Sequence, residues 1–244
     1  MNEGHGSFPT TQWTAVVQKA LSGNEEHRET AWADLARGYW MPLYAFSRRL
    51  GHDRQDAEDL TQGFFAYLLR RGVLDSANRD LGTLRTFLLR VFQRYIGDVR
   101  DHDRALKRGG GLEFISIHAD EAEDPSFAGL TTVESPEILF DRSWAHALLR
   151  GAMHELGASE RDAGRGRTFE VLEPHLSPYA KVDDGYEGAA AALQMAPEAI
   201  RQTVSRLRKK YRDCLRDRIA ATLRDPDDAR IDEELHALKA ALRP

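Results

Sequence analysis

The segment LRTFLLRVFQRYIGDV, residues 84 to 99, constrains this chain most. Leu84, Phe87, Leu88, Val91, Phe92, Tyr95, Ile96 and Val99 recur three and four residues apart. That period draws one apolar stripe along an amphipathic helix and leaves the arginines largely off it. A helix of this kind has to bury its stripe against other elements. The rest of the chain offers helices for that purpose: no long apolar/polar alternation appears, and β-branched residues are sparse. The expected class is all-α.

Further helices follow from the same spacing. One is expected over Thr11 to Leu21, a second element around Trp32, Leu35 and Ala36, and a third from Tyr39 to Leu50 with Gly51 as its C-cap. A fourth, 54 to 70, carries Ala57, Leu60, Phe64 and Leu68. The loop 75 to 82 precedes the helix from Leu84 to Lys107, which ends at a glycine-rich breaker, KRGGG. Ser135 and Pro136 restart helix as N-cap and first helical residue. GASERDAGRGR (157 to 167) reads as an interruption. Phe169 to Leu176, Tyr186 to Leu193 and Pro197 to Leu223 are helical. So is an acidic tail with Ile231, Leu235, Leu238 and Leu242. These elements divide the chain into an N-terminal part, 1–111, with its core at 32–108; a linker, 112–141; a second helical domain, 142–224; and a C-terminal helical extension, 225–244.

Net charge is −5 over 244 residues, which taken alone argues against a nucleic-acid partner. The distribution argues for one. Seven basic residues stand against three acids from 84 to 108, and eight against three from 197 to 218. Between them, 112 to 141 holds eight acids and no Lys or Arg. Arg85, Arg90, Arg94 and Arg100 on the first basic helix, with Asn78 and Arg79 in the loop before it, suit melted DNA. Phe87, Phe92 and Tyr95 read as core. A single cysteine, Cys214, excludes an internal disulfide and a multi-cysteine zinc site. No apolar run approaches a membrane span and no secretory signal opens the chain, so a cytoplasmic protein is expected.

YEGAAAALQMAPEAIRQTVSRLRKKYRD (186 to 213) reads as two helices joined by a tight turn. Leu193, Ile200, Val204 and Leu207 fall inward. Arg201, Gln202, Ser205, Arg206 and Lys209 fall outward, where the second helix of such a pair meets the major groove. A surface helix with solvated charges is the plain alternative. The turn carries Gln194 where glycine is usual, at a cost of about 1 kcal/mol if its φ is positive.

DAEDLTQGFF (56 to 65) sets Asp56, Glu58 and Asp59 close together. Asp53 is placed to cap the helix and Asp56 lies in its first turn. At about 100° per residue the three acids point in different directions and do not converge on one ion. Glu58, Asp59 and Gln62 remain as an outward acidic face in mid-helix.

Taken together, DAEDLTQ, LRTFLLRVFQRYIGDVR and AALQMAPEAIRQTVSRLRKK resemble bacterial RNA polymerase sigma factors of the extracytoplasmic-function type. The resemblance covers roughly two thirds of the chain, 32 to 108 and 142 to 218. It implies that Asp56, Glu58, Asp59 and Gln62 bind core RNA polymerase. It also implies that the 78–79 loop and the arginines of 84 to 100 open the minus-ten element of promoter DNA, and that the helix-turn-helix reads the minus-thirty-five element. The acidic linker would thread a basic polymerase channel as a polyanion mimic. Implied partners are core polymerase, promoter DNA and, as regulator, an anti-sigma factor or a kinase. No catalytic residue, cofactor, metal or membrane is implied.

Two other classes compete. A transcription regulator would use the helix-turn-helix and bind duplex DNA without polymerase. A metal-dependent phosphohydrolase would use His52-Asp53 and His102-Asp103, but Asp101-His102-Asp103 ends a basic helix, where salt bridges are the commoner explanation.

Overall fold

The computed structural model describes residues 25–71, 83–107, 135–176, 186–223 and 226–243. The first expected helix, at Thr11 to Leu21, the loop at 75 to 82 and the linker as far as residue 134 lie outside them. Every regular element among the described residues is helical, so the chain is all-α. The helices are α1 (Glu25–Arg49), α2 (Arg54–Arg71), α3 (Leu84–Lys107), α4 (Pro136–Asp162), α5 (Gly166–Leu172), α6 (Glu187–Leu193), α7 (Pro197–Ala220) and α8 (Asp228–Ala241). One 3-10 turn, Glu173–His175, follows α5.

The chain forms two units, and α4 is divided between them at Ala147. The first comprises residues up to 147 together with 221 onward; the second is 148 to 220. This grouping sets its borders elsewhere than the division drawn from sequence. Residues 136 to 141 open α4, as Ser135 and Pro136 predict, the second unit begins at 148, and 221 to 223 group with the tail in the first unit. The reason is burial. Leu139, Phe140 and Trp144 lie on one side of α4 and are at most 2% exposed, and Leu223 is also buried.

In the first unit, Leu35, Tyr39, Leu43 and Phe46 form one buried face along α1. That continuous face joins what sequence spacing separated into two elements, although Pro42 stands inside the helix. A proline there forfeits one helical hydrogen bond and crowds the carbonyl four residues back, costing about 3 kcal/mol. Burying side chains such as Tyr39, Leu43 and Phe46, each contributing about 1.5–3 kcal/mol, offsets it. Gly51 at φ +92° ends α1 as expected: its N–H donates to the Arg48 carbonyl and the His52 N–H to that of Ser47. On α2 and α3, Phe64 and Phe92 meet at 4.8 Å between ring centres, with Phe46 at 6.1 Å from Phe92.

The second unit has its own core of Leu156, Phe169, Leu172, Leu176, Ala189, Ala190, Ile200, Val204 and Leu207. The segment expected to interrupt helix at 157 continues α4 to Asp162. Gly157 lets the Phe169 ring lie against the helix, since a β-carbon there would stand 2.8 Å from a ring carbon. Gly164, at φ +72°, then reverses the chain.

Candidate nucleic-acid and partner-binding surfaces

The start of α2 is built as its residues require. The Asp53 side chain accepts the Asp56 N–H at 2.8 Å and its carbonyl accepts the Ala57 N–H at 3.0 Å. Ala57, Leu60, Thr61, Phe64 and Leu68 are buried. Thr61 closes its hydroxyl onto the Ala57 carbonyl at 2.7 Å. Asp56, Glu58, Asp59 and Gln62 are all exposed. Glu58 pairs with Arg54 at 3.2 Å in an exposed i,i+4 contact that contributes little. Among the described residues no group of three His, Cys, Asp or Glu is placed to hold a metal ion.

A second polarity divides α3. Leu84, Phe87, Leu88, Phe92 and Ile96 are buried, while Arg90, Arg94 and Arg100 are exposed. Tyr95 is intermediate, against Phe64 and Tyr67 at 5.7 and 5.3 Å between ring centres. Burial pushes its hydroxyl above the usual tyrosine pKa, with Arg70 pulling the other way. Asn78 and Arg79 lie outside the described residues.

Arg85 departs from the expected outward row. Its Nη1 donates to Asp141 Oδ1 at 2.8 Å and its Nη2 to Glu234 Oε1 at 3.2 Å. Its guanidinium carbon sits 4.4 Å from the centre of the Trp144 ring. The side chain is 13% exposed. As the second residue of α3, it falls where α4 and α8 meet the start of the helix, so it joins the interior of the unit. Tyr39 belongs to the same cluster. Burial drives its hydroxyl well above the ordinary range, opposed by Trp144 and Arg85.

In the second unit, α6 ends on Gln194 with φ 54° and ψ 40°. The Gln194 N–H donates to the Ala191 carbonyl and the Met195 N–H to that of Ala190, the two bonds that also close the helix at Gly51. Three residues after Gln194, α7 begins at Pro197. Ile200, Val204 and Leu207 are buried and Leu193 half-buried. Arg201, Gln202, Ser205, Arg206 and Lys209 are exposed along the opposite side. Arg201 pairs with Glu198 at 2.8 Å, both well exposed.

The inner basic residues of α7 serve the unit itself. Arg208 donates to the His175 carbonyl at 2.8 Å, and Arg218 pairs with Glu155 at 3.3 Å. Lys210 and Arg165 both grip Glu160, whose side chain is 4% exposed. The Arg165 hydrogen bond, assisted by Lys210 and opposed by burial, holds the Glu160 carboxyl down at about 2. Local spacing signals neither the anchoring role of Glu160 nor the inward placement of Arg85, because their partners Lys210, Asp141 and Glu234 lie on other elements. No helix among the described residues is long and apolar enough to cross a membrane. No family model, curated protein or solved structure matches the chain.

Proposed function

We propose that this protein is a sigma factor of the extracytoplasmic-function type, which binds core RNA polymerase and directs initiation at specific promoters. The observation that carries the reading is the α6–turn–α7 pair. Its second helix is anchored by Ile200, Val204 and Leu207 and presents Arg201, Gln202, Ser205, Arg206 and Lys209 outward. Arg and Gln near the start of such a helix suit base edges, and the later basic residues suit phosphates. In this reading they meet the minus-thirty-five element.

The exposed face of Asp56, Glu58, Asp59 and Gln62 on α2 supports docking to a basic surface of core polymerase. Arg90, Arg94 and Arg100 on α3, with the Asn78 and Arg79 loop, would meet the minus-ten element. The exposed α2 face also favours this reading over a regulator that binds DNA alone, because such a regulator has no use for an acidic docking surface.

In vitro transcription with core polymerase and a promoter library tests the proposal. Initiation at specific sites that depends on this chain is the expected result. DNA binding that core polymerase leaves unchanged would replace the sigma factor with an independent regulator.

A further inference from the structure

Arg85 is held by a carboxylate from the far end of the chain. Glu234, on α8, lies 149 positions away in sequence and is 8% exposed. Around it the tail is secured at several points. Leu238 is buried. Arg142 on α4 donates to the Ala241 carbonyl and to that of Arg243, each at 3.3 Å. The Leu84 N–H reaches the Thr222 carbonyl at 3.5 Å. The tail thus folds onto the start of the helix that carries Arg90, Arg94 and Arg100.

The ion pair at its centre is incomplete. Arg85 Nε and Glu234 Oε2 are both buried without a hydrogen-bond partner. A guanidinium offers two parallel N–H groups to a carboxylate or a phosphate, and this pairing uses a single one. Asp141 and the Trp144 ring hold Arg85 from α4. If α8 lifted, they would leave the guanidinium in place with one side open to an anion. Acids outnumber Lys and Arg four to two within α8, so the segment that would leave is itself anionic.

We propose that α8 is an intramolecular competitor for Arg85: the Glu234 carboxylate occupies the position a DNA phosphate would take, so tail docking and phosphate binding at Arg85 exclude one another. This rests on the reading of α3 as a DNA-facing helix. Because the competitor is tethered, it acts at high effective concentration and restrains binding without a separate inhibitor. By linkage, DNA that engages Arg85 loosens α8 to the same degree that α8 weakens DNA.

The test uses the full chain, without polymerase, and a labelled single-stranded oligonucleotide followed by anisotropy over a range of salt. Glu234→Gln keeps the size of the side chain and an oxygen acceptor but removes the charge. It should bind about three- to tenfold tighter, with a log K against log salt slope steeper by about one. Leu238→Ala loosens the seat of α8 without changing charge and should shift affinity the same way. Adding Arg85→Gln to Glu234→Gln should remove the gain. Wild-type affinity in both folded single variants, a gain that survives Arg85→Gln, or no DNA binding by any of them would overturn the proposal. Absence of polymerase-dependent initiation with the Glu234→Gln gain intact would count against the sigma factor reading alone.

Discussion

The Tyr95 hydroxyl lies directly over Gly63, so that α3 meets α2 at a position with no side chain. A β-carbon on Gly63 would collide with the phenol oxygen and stand 3.5 Å from Cζ. Phe64, Tyr67 and Phe92 surround the Tyr95 ring and limit its retreat. Gly63→Ala should therefore destabilise the protein by about 1–3 kcal/mol in urea unfolding. Tyr95→Phe, which deletes the colliding atom, should recover part of that loss. Additive effects in the double mutant would show that the contact is not the cause.

Gln194 does at the end of α6 what Gly51 and Gly164 do elsewhere, and among the described residues it alone has a positive φ without being glycine. Gln194→Gly should raise stability by up to about 1 kcal/mol, since the left-handed conformation strains a β-carbon but not a glycine. Gly164→Ala, at φ +72°, should lower it by a similar amount. Denaturant midpoints compare the two directly.

Glu160 should make stability depend on acid. Its folded pKa, about 2, lies below the ordinary value of 4.5. A depressed carboxylate contributes stability that is fully present above the unfolded pKa and disappears as pH falls through the folded one. Glu160→Gln should cost about 1–2 kcal/mol at pH 7, an amount reduced because Arg165 and Lys210 are partly solvated. The gap from wild type should narrow as pH drops from about 4.5 towards 2. Melting temperatures of both proteins across that window would check it. A gap that stays constant with pH would assign the loss to packing.

Asp59 is exposed in the middle of α2, and its replacement disturbs no buried atom. Asp59→Arg should change unfolding free energy by no more than about 0.5 kcal/mol. If the acidic face docks on core polymerase, the same change should abolish complex formation in gel filtration. A variant that still co-elutes with polymerase would rule out that use of the face.

What could be read from sequence was what local spacing determines. The stripe from Leu84 to Val99 announced α3, and Asp53 with Ala57, Leu60 and Phe64 located α2 to within a residue or so of its observed Arg54–Arg71. The outward row from Arg201 to Lys209 followed from the same face arithmetic. Pro42 concealed the continuity of α1, since proline normally ends a helix and only the buried face on both sides overrides it. GASERDAGRGR resembled a loop because its glycines and charges have tertiary roles: Gly157 admits the Phe169 ring, and Glu160 anchors Lys210 fifty positions away. Arg85 looked like its exposed neighbours for the same reason. Nothing within a few residues of it signals that Glu234 and Trp144 are waiting.

The division of the chain has a consequence for the order in which it is made. Residues 148 to 220 are contiguous, so the second unit has all its parts as soon as α7 leaves the ribosome. The first unit begins earlier in synthesis and finishes later, because α8 is among its members. Until α8 emerges, the nascent chain holds Arg85 without Glu234 and lacks Leu238 to close its core. A chain stalled after α7 should therefore have a complete, protease-resistant second unit, while the start of α3 stays uncovered until α8 arrives, the reverse of the usual N-to-C order of maturation.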